Sequence, residues 1–335
     1  MRSTSARGHR LWISVLATTL WGLACGAEEA PSDSSGALPT RKVSLADGRV
    51  IDVRTQALRV FPASATAVDF LVALAGPERI VALPEQAFDY ASLTGDVAAW
   101  QRTVRFTNFI AEDAIALSPD LVLADTSQDR GTIESLRSAG IEVVVLPEVR
   151  SWPDARATLL GVGSLLELED RAGVLVRELD LRVEQLRAAP GARGGLRALC
   201  YSNFGSGWSA GSRTTMHEQI LLAGMHNAAA DAGRDGHVQV TFEDLISIDP
   251  DLILVSSPLR DGDSSLGDRG GASERLLRSE PSLRNLRAVR LGRIVALPPS
   301  LFATGSHSIV RGAEELARAV DDMLAREKIA PESGR

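Results

Sequence analysis

Short runs of consecutive apolar residues alternate along this chain with segments in which apolar residues recur at helical spacing. An apolar run of about four to eight residues between turn signals is typical of a strand buried on both faces. Strands of this kind separated by helices predict an α/β fold with mainly parallel sheets. The predicted strands lie at 58–61, 79–83, 121–124, 141–147, 196–201, 252–255 and 293–297.

One helix–strand unit occurs twice, 131 positions apart. Residues 112–123 and 243–254 share Glu, Asp, Ile, Pro, Asp, Leu and Leu at matching places. Acidic residues suit the positive end of a helix, proline ends the helix, and the apolar run that follows is the strand. Ile115 and Ile246, each with the apolar residue two places later, are predicted to form the buried side of the short helix. The repeat indicates one unit in each of two lobes; a chance likeness between two common connections is the alternative.

Residues 153–188 break this alternation, because apolar residues recur at helical spacing with no strand among them. A helix of about 30 residues would be about 45 Å long, and it is predicted to act as a stiff strut. The predicted organisation is a first α/β lobe at 41–150, a long linker helix within 151–190 and a second α/β lobe at 191–335.

The N-terminal segment has a different character from the rest of the chain. Arginines precede an apolar stretch at 11–23 that is too short to span a membrane comfortably. The stretch leads into Ala24-Cys25, which resembles a bacterial lipoprotein signal, although Gly22 stands where an aliphatic residue is usual. Residues 1–25 are therefore expected to be a signal peptide whose Cys25 becomes lipidated, and 26–40 a flexible tether. The expected location is the periplasm or cell envelope, with a lipid anchor as the sole attachment to the membrane.

Composition narrows the classes of partner. The chain has 335 residues and a net charge of −7, with no basic stripe, which gives no reason to expect a nucleic-acid partner. Its only cysteines are Cys25 and Cys200. If Cys25 carries lipid, Cys200 has no disulfide partner and is expected to be a small buried apolar residue.

Several short motifs, in this order and spacing, resemble the periplasmic substrate-binding proteins of the cobalamin, haem and iron-siderophore ABC importers. The resemblance implies two α/β lobes joined by one long helix, with a ligand held in the cleft between them. It also implies binding without chemistry by a monomer that has no cofactor and no metal site of its own. The transported ligand would be a cobalt or iron complex, and the partners an ABC permease and its ATPase. The motifs are Ser64–Thr66, Asp89–Tyr90, Ile115–Ala124, Gly140–Val143, Ala210–Gly211, Leu222–Gly224, Asn227–Ala229 and Asp249–Asp251.

The resemblance assigns roles to particular side chains. Glu112 and Glu243 match the glutamates that dock each lobe onto arginines of the permease; the alternative is that they are merely favourable charges in the first turn of a helix. A large flat ligand calls for aromatic walls and a few polar groups. The cleft residues expected on this basis are Tyr90, Trp100, Trp208 and His237. If the ligand is haem, the resemblance makes Tyr90 or Tyr201 the first choice of iron ligand, followed by His237.

The chain also departs from the family pattern. Ala67 replaces a frequent glutamate, and Ala91 replaces a proline after Tyr90. Ser308 stands where many members have an arginine near the start of the last helix. The missing arginine argues against a strongly anionic siderophore. Neither the residues nor the resemblance chooses among a corrinoid, haem and a ferric siderophore.

Other functions have less support from the sequence. Residues 161–163 read Gly-Val-Gly but do not follow a strand, so they are not a nucleotide-binding motif, and neither HExxH nor a P-loop occurs. An enzyme is therefore not expected. A receptor for a bare metal ion needs convergent ligands, and His217, His226, His237 and His307 show no paired ligand spacing. This receptor, and a ligand sensor without a transport role, are the remaining alternatives.

Overall fold

Parallel strands form the centre of each half of the molecule, as the apolar runs predict. The computed structural model describes residues 40–44, 48–54, 59–93, 97–257 and 271–329. The predicted signal segment with Cys25, and residues 26–39 of the predicted tether, lie outside these residues. Within the described residues, no helix has the length and apolar character needed to cross a membrane.

The first lobe begins with two antiparallel strands, Thr40–Ser44 and Val50–Arg54, and continues as alternating strands and helices. Its main sheet is parallel with strand order β3-β6-β7, and β4 and β5 form a second parallel pair. The elements are β1 (Thr40–Ser44), β2 (Val50–Arg54), β3 (Val60–Pro62), α1 (Ala65–Leu74), β4 (Ala82–Pro84), α2 (Ala87–Tyr90), α3 (Val97–Arg102), β5 (Val104–Phe106), α4 (Ala111–Ala116), β6 (Leu121–Ala124), α5 (Arg130–Ser138) and β7 (Glu142–Val145).

The predicted single linker helix is wrong, because the structure divides it into α6 (Trp152–Leu165) and α7 (Glu169–Ala188). Between them Glu167 takes a left-handed backbone conformation with φ of 57°, which a continuous helix does not allow. The two helices pack closely at Gly163, where an added Cβ would lie 2.4 Å from the Cβ of Ala172. The apolar periodicity therefore extends over both helices, and α7 alone forms the long helix of 20 residues.

The second lobe has a parallel sheet of order β11-β8-β13-β14 and a smaller antiparallel sheet of order β12-β10-β9. The antiparallel sheet lies beyond the end of β8, and the chain enters it directly from that strand. The elements are β8 (Arg197–Cys200), β9 (Ser202–Asn203), β10 (Gly207–Ala210), α8 (Thr215–Leu222), β11 (His226–Asn227), α9 (Ala228–Asp231), β12 (His237–Gln239), α10 (Phe242–Ile248), β13 (Leu252–Ser256), α11 (Gly271–Ser279), α12 (Arg287–Arg290), β14 (Ile294–Leu297), α13 (Pro299–Phe302) and α14 (Ile309–Ile329).

The last helix, α14, packs in the cores of both lobes. Ile309 and Val310 at its start are buried in the same cluster as α1 and α7. Leu316 and Val320, two turns later, are buried with the parallel sheet of the second lobe. Because each buried leucine or isoleucine contributes about 1.5–3 kcal/mol, α14 adds a substantial second connection between the lobes beside α7.

The repeated unit of the sequence is a repeated unit of structure, formed by α4 with β6 and by α10 with β13. Each helix ends at a non-glycine residue in the left-handed conformation, Ser118 with φ of 47° and Asp249 with φ of 43°, directly before the proline. These two residues are themselves 131 positions apart. Such backbone angles are uncommon outside glycine, so their recurrence at matched positions argues against a chance likeness.

The same arginine–aspartate contact holds both units to the neighbouring strand. Asp120 accepts a hydrogen bond from the backbone N–H of Arg59 at 3.0 Å, and Asp251 accepts one from Arg197 at 2.9 Å. The arginine side chains in turn donate to carbonyls at the ends of α4 and α10, including Leu117 O at 2.6 Å. Since those carbonyls lack a partner within the helix, each arginine fixes a helix end against the sheet.

Candidate functional site

A cavity of about 610 Å³ lies where the carboxyl ends of parallel strands from the two lobes face each other. Asp125 follows β6, Pro147 follows β7, and Ser256 ends β13. Loops at this end of parallel strands are the usual place for ligands in α/β proteins, because the strands place several loops side by side. The residues that line the cavity from the first lobe are Thr66, Tyr90, Asp125, Thr126, Ser127, Pro147, Glu148 and Val149.

The second lobe contributes the larger part of the wall, mainly from its antiparallel sheet and from the segment between α13 and α14. Trp208 on β10 pairs with Gln239, and Ala210 two places later pairs with His237 on β12. Residues two apart on one strand, and residues directly opposite on its neighbour, share a face of the sheet. Trp208 and His237 are therefore brought to one face, and both line the cavity.

Three of the four predicted ligand residues, Tyr90, Trp208 and His237, line this cavity. Trp100 does not: it is 2% exposed and is buried in the core of the first lobe. Burial of a large indole ring in the core stabilises the fold. The sequence around Trp100 does not show whether the ring lies in the core or in the cavity wall.

Two aromatic residues that are not among the four predicted ligand residues also line the cavity, Phe204 and Phe302. Phe204 stands at the turn between β9 and β10 and is 59% exposed. The turn depends on Gly205, whose φ of 85° lies in the left-handed region that glycine adopts readily. An aromatic residue beside glycine in a short hairpin was the available signal for an exposed ring.

The charged groups of the cavity wall are mostly acidic or already paired. Asp125 accepts hydrogen bonds from the backbone N–H of Ser127 at 2.9 Å and from its hydroxyl. Glu148 is paired with Arg150 at 2.6 Å. Arg213 binds Asp235 through two nitrogens, one of them Nε at 2.8 Å from Oδ1. This bidentate bond lowers the pKa of Asp235 to about 2, so the pair stays ionised over the physiological range.

The segment below the cavity joins the first lobe to the start of α14. Gly305 lies so close to α1 that an added Cβ would be 2.9 Å from Thr66 Oγ1, and both residues line the cavity. One residue further on, Ser306 donates a hydrogen bond to the buried carboxylate of Asp69 at 2.6 Å. Burial raises the pKa of Asp69 to about 6, although hydrogen bonds from Ser306 and from the backbone N–H of Ser92 lower it in part.

A model of the family described as "Periplasmic binding protein" matches residues 68–301, which is more than half of the chain and includes most of the residues that line the cavity from both lobes. The chain belongs to this periplasmic binding protein family. Its two-lobed fold, which the resemblance implied, is thereby confirmed, as is the membership itself.

Individual relatives show what this periplasmic binding protein is similar to. It is 27% identical over 220 residues to an uncharacterised ABC transporter substrate-binding lipoprotein of Bacillus subtilis, covering 64% of this chain and 65% of that one. It is 28% identical over 211 residues to a cobalamin-binding protein of Halobacterium salinarum, covering 62% and 55%. The match thus spans less than two thirds of the length of either relative.

A solved structure of the periplasmic haem-binding protein BhuT, in complex with two haems, matches with a TM-score of 0.66 at 25% identity. The match covers 79% of this chain and 98% of BhuT. Since it extends over nearly all of BhuT, both lobes of the periplasmic binding protein have counterparts there. These homologues are binding and transport proteins, which is consistent with the expectation that this chain is not an enzyme.

The sequence does contain one motif of catalytic type, although an enzyme is not expected. Residues 207–211 read Gly-Trp-Ser-Ala-Gly and match the Gly-x-Ser-x-Gly pattern of α/β-hydrolases. That pattern requires the serine on a sharp turn from strand to helix, with its hydroxyl exposed. Ser209 is instead in the middle of β10, paired with Val238 and 2% exposed. The periplasmic binding protein therefore lacks the structural context that would make Ser209 a nucleophile.

Both predicted docking glutamates, Glu112 and Glu243, are exposed in the first turns of α4 and α10. Hydrogen bonds from the backbone N–H of Glu243 and from Thr241 lower the pKa of Glu243, so it remains a carboxylate. Elsewhere in the described part of the periplasmic binding protein, no group of three or more His, Cys, Asp or Glu side chains is placed to hold a metal ion. Cys200 is buried at the end of β8, and burial raises the pKa of its thiol to about 12.

Proposed function

We propose that this protein captures a corrinoid or another metal chelate in the cleft and delivers it to the permease of an ABC importer. The observation that carries the proposal is the cavity between the lobes, walled by Tyr90, Phe204, Trp208 and Phe302. Aromatic walls with a few polar groups suit a large, rigid and partly apolar ligand. The names of the relatives, which bind cobalamin or haem, support the same class of ligand.

The charge of the cleft favours a corrinoid over haem. Haem carries two propionates, and they would meet Asp125 and Glu148 in the wall. Arg213, the arginine that lines the cavity, is already bound to Asp235 in the described structure. A buried or half-buried carboxylate without a cation is unfavourable, whereas the amide side chains of a corrinoid need only hydrogen bonds. The ligand is thus proposed to carry little or no net negative charge.

Delivery is proposed to use the two glutamates on opposite lobes. Glu112 and Glu243 would pair with arginines of the permease, and such exposed pairs give orientation and a faster encounter more than affinity. The lobes, divided at about 150 and 190, would close only modestly, since α7 and α14 both connect them. The protein is proposed to act as a monomer held in the cell envelope by lipid on Cys25.

Should a metal in the ligand bind a side chain, Tyr90 and His237 are the proposed ligands, a choice supported by their position in the cavity wall. Tyr201 is 1% exposed and packs in the core of the second lobe instead. A cobalt or iron ion belongs here to the transported ligand, and the protein needs no cofactor to bind it.

The test is binding by the chain that begins at residue 38. The protein is incubated separately with cobalamin, haemin and a ferric hydroxamate, desalted, and its visible spectrum recorded. Two results together would support the proposal. The desalted protein keeps the cobalamin spectrum, and the dissociation constant for cobalamin rises at least about tenfold in Trp208→Ala. The matched control is Trp100→Phe, a change outside the cavity. Retention of none of the three ligands would contradict it, and retention of haem alone would contradict the preference for a corrinoid.

A further inference from the structure

Two exposed isoleucines occupy equivalent positions in the two repeated units. Ile115 is 38% exposed and Ile246 is 47% exposed, although the sequence pattern predicts both on the buried side of their helices. That prediction is wrong because other residues already fill the core beneath each helix. Ala111 and Ala114 are buried under α4, and Leu245 and Ile248 are buried under α10.

Nothing in local structure requires an isoleucine at either place. A β-branched residue is slightly unfavourable in a helix, and exposure gives it no burial energy in return. A single exposed apolar residue on a protein surface is ordinary. Two of the same kind, exposed at matched positions of the two units, point to a role on the surface.

Each isoleucine lies beside a glutamate. Ile115 follows Glu112 by three residues, and Ile246 follows Glu243 by three. Residues three apart on a helix share a face, so each unit presents a carboxylate and an apolar side chain together. Both units are held in the same way, since Arg59 and Arg197 fix the ends of the two helices against the sheets.

We propose that Ile115 and Ile246 are apolar anchors which, with Glu112 and Glu243, form two matched docking sites for the permease. The inference rests on the proposed function and adds a contact to it. A partner that accepts both sites must present two equivalent surfaces, each with a cation beside an apolar depression. A symmetric dimer does so. The acidic charge of both sites favours a basic surface on the partner. The isoleucines would bury apolar area against that surface, in addition to the contact that the charge pairs make.

The experiment measures ATP hydrolysis by a purified permease–ATPase complex of the same organism in nanodiscs, as the loaded protein is titrated in. The double variant Ile115→Ser, Ile246→Ser is compared with Val174→Ser, Leu181→Ser. Val174 and Leu181 lie on α7 and are 58% and 59% exposed. The control variant therefore removes at least as much exposed apolar surface, at a place away from the two repeated units. The concentration for half-maximal stimulation is expected to rise at least about tenfold for the isoleucine pair and less than about twofold for the control.

Three further measurements separate the possible failures. Ligand affinity and the midpoint of unfolding are expected to equal those of the wild type in both variants, because all four side chains are exposed. Ile115→Met with Ile246→Met is expected to restore stimulation, since it restores an apolar anchor. If the serine pair stimulates like wild type while Glu112→Gln, Glu243→Gln does not, the isoleucine anchors are overturned and the proposed function stands. If the wild type stimulates no such complex, both are overturned.

Discussion

Asp69 and Ser306 are 237 residues apart in the chain and are joined by a hydrogen bond of 2.6 Å between the serine hydroxyl and carboxylate Oδ2. The bond links α1 of the first lobe to the segment that leads into α14. Thr304 and Gly305, the two residues before Ser306, line the cavity. Asp69 is 1% exposed, so its carboxyl group is buried beside the segment that contributes Thr304 and Gly305 to the cavity wall.

The buried carboxyl group predicts a pH dependence of stability that Asp69→Asn should remove. The pKa of Asp69 is raised to about 6, so the folded state favours the protonated carboxyl group. The stabilisation that results is fully present below about pH 4 and is lost as the pH rises through 6. A shift of this size corresponds to about 3 kcal/mol at most. At pH 8 the asparagine variant is therefore expected to be the more stable protein, since its amide still accepts from Ser92 N–H. Urea unfolding at intervals from pH 4 to 8 measures the difference.

The control for this prediction is Asp125→Asn, which removes a half-exposed carboxylate from the cavity wall. It shows how the free energy of unfolding responds when a carboxylate outside the buried core is lost. Arg311 and the hydroxyls of Ser306 and Ser308 also face Asp69 and hold its pKa down in part. A difference between Asp69→Asn and wild type that stays constant from pH 4 to 8 would contradict the assignment.

His307, one residue after Ser306, predicts a pH dependence of the opposite sign. Burial lowers the pKa of His307 to about 4, and its Nδ1 has no hydrogen-bond partner among the described residues. The folded state thus favours the neutral imidazole, and this stabilisation is present above about pH 6.5 and is lost as the pH falls towards 4. His307→Phe should remove this acid sensitivity and keep the ring contact with Phe70, whose centroid is 5.6 Å away.

The two groups titrate over overlapping ranges, so their effects partly cancel in the wild type. Between pH 6.5 and 4, Asp69→Asn should therefore lose stability on acidification, and His307→Phe should gain it. The unfolding midpoints of both variants, measured on the same pH series, test this directly. Two variants with the same slope would show that at least one of these groups is not the source of the pH dependence.

The sequence predicted the elements of the fold better than the faces they bury. Patterns within one segment, such as the apolar run of β6 and the proline before it, depend on local chemistry and were confirmed. Which side of α4 is buried depends on how the helix packs in the folded lobe, and Ala114 rather than Ile115 lies on the buried side. The role of Trp100 likewise depends on neighbours distant in sequence, and its pattern could not separate core from cleft.

The close packing of α6 against α7 predicts opposite effects on stability for two glycine-to-alanine substitutions. Gly163→Ala would place a Cβ 2.4 Å from that of Ala172, and the helices would have to move apart. A loss of about 1–3 kcal/mol in the free energy of unfolding is expected. Gly173→Ala, one residue after Ala172, meets only the flexible end of Arg177 at 3.4 Å and should gain up to about 1 kcal/mol. Equal effects of the two changes in chemical denaturation would contradict the close packing at Gly163.

Phe204 should contribute to ligand binding without contributing to folding. Its ring is 59% exposed at the hairpin turn above the cavity, so removing it leaves no void in the core. Burial of much of this ring by a ligand is worth on the order of 1.5 kcal/mol or more, which corresponds to about tenfold in affinity. Phe204→Ser is thus expected to raise the dissociation constant about tenfold and leave the unfolding midpoint unchanged. Leu291→Ser, at a residue 44% exposed and outside the cavity, is the matched control. Equal affinities for the two variants would show that the hairpin turn does not close over the ligand, and Trp208 would then form the outer limit of the site.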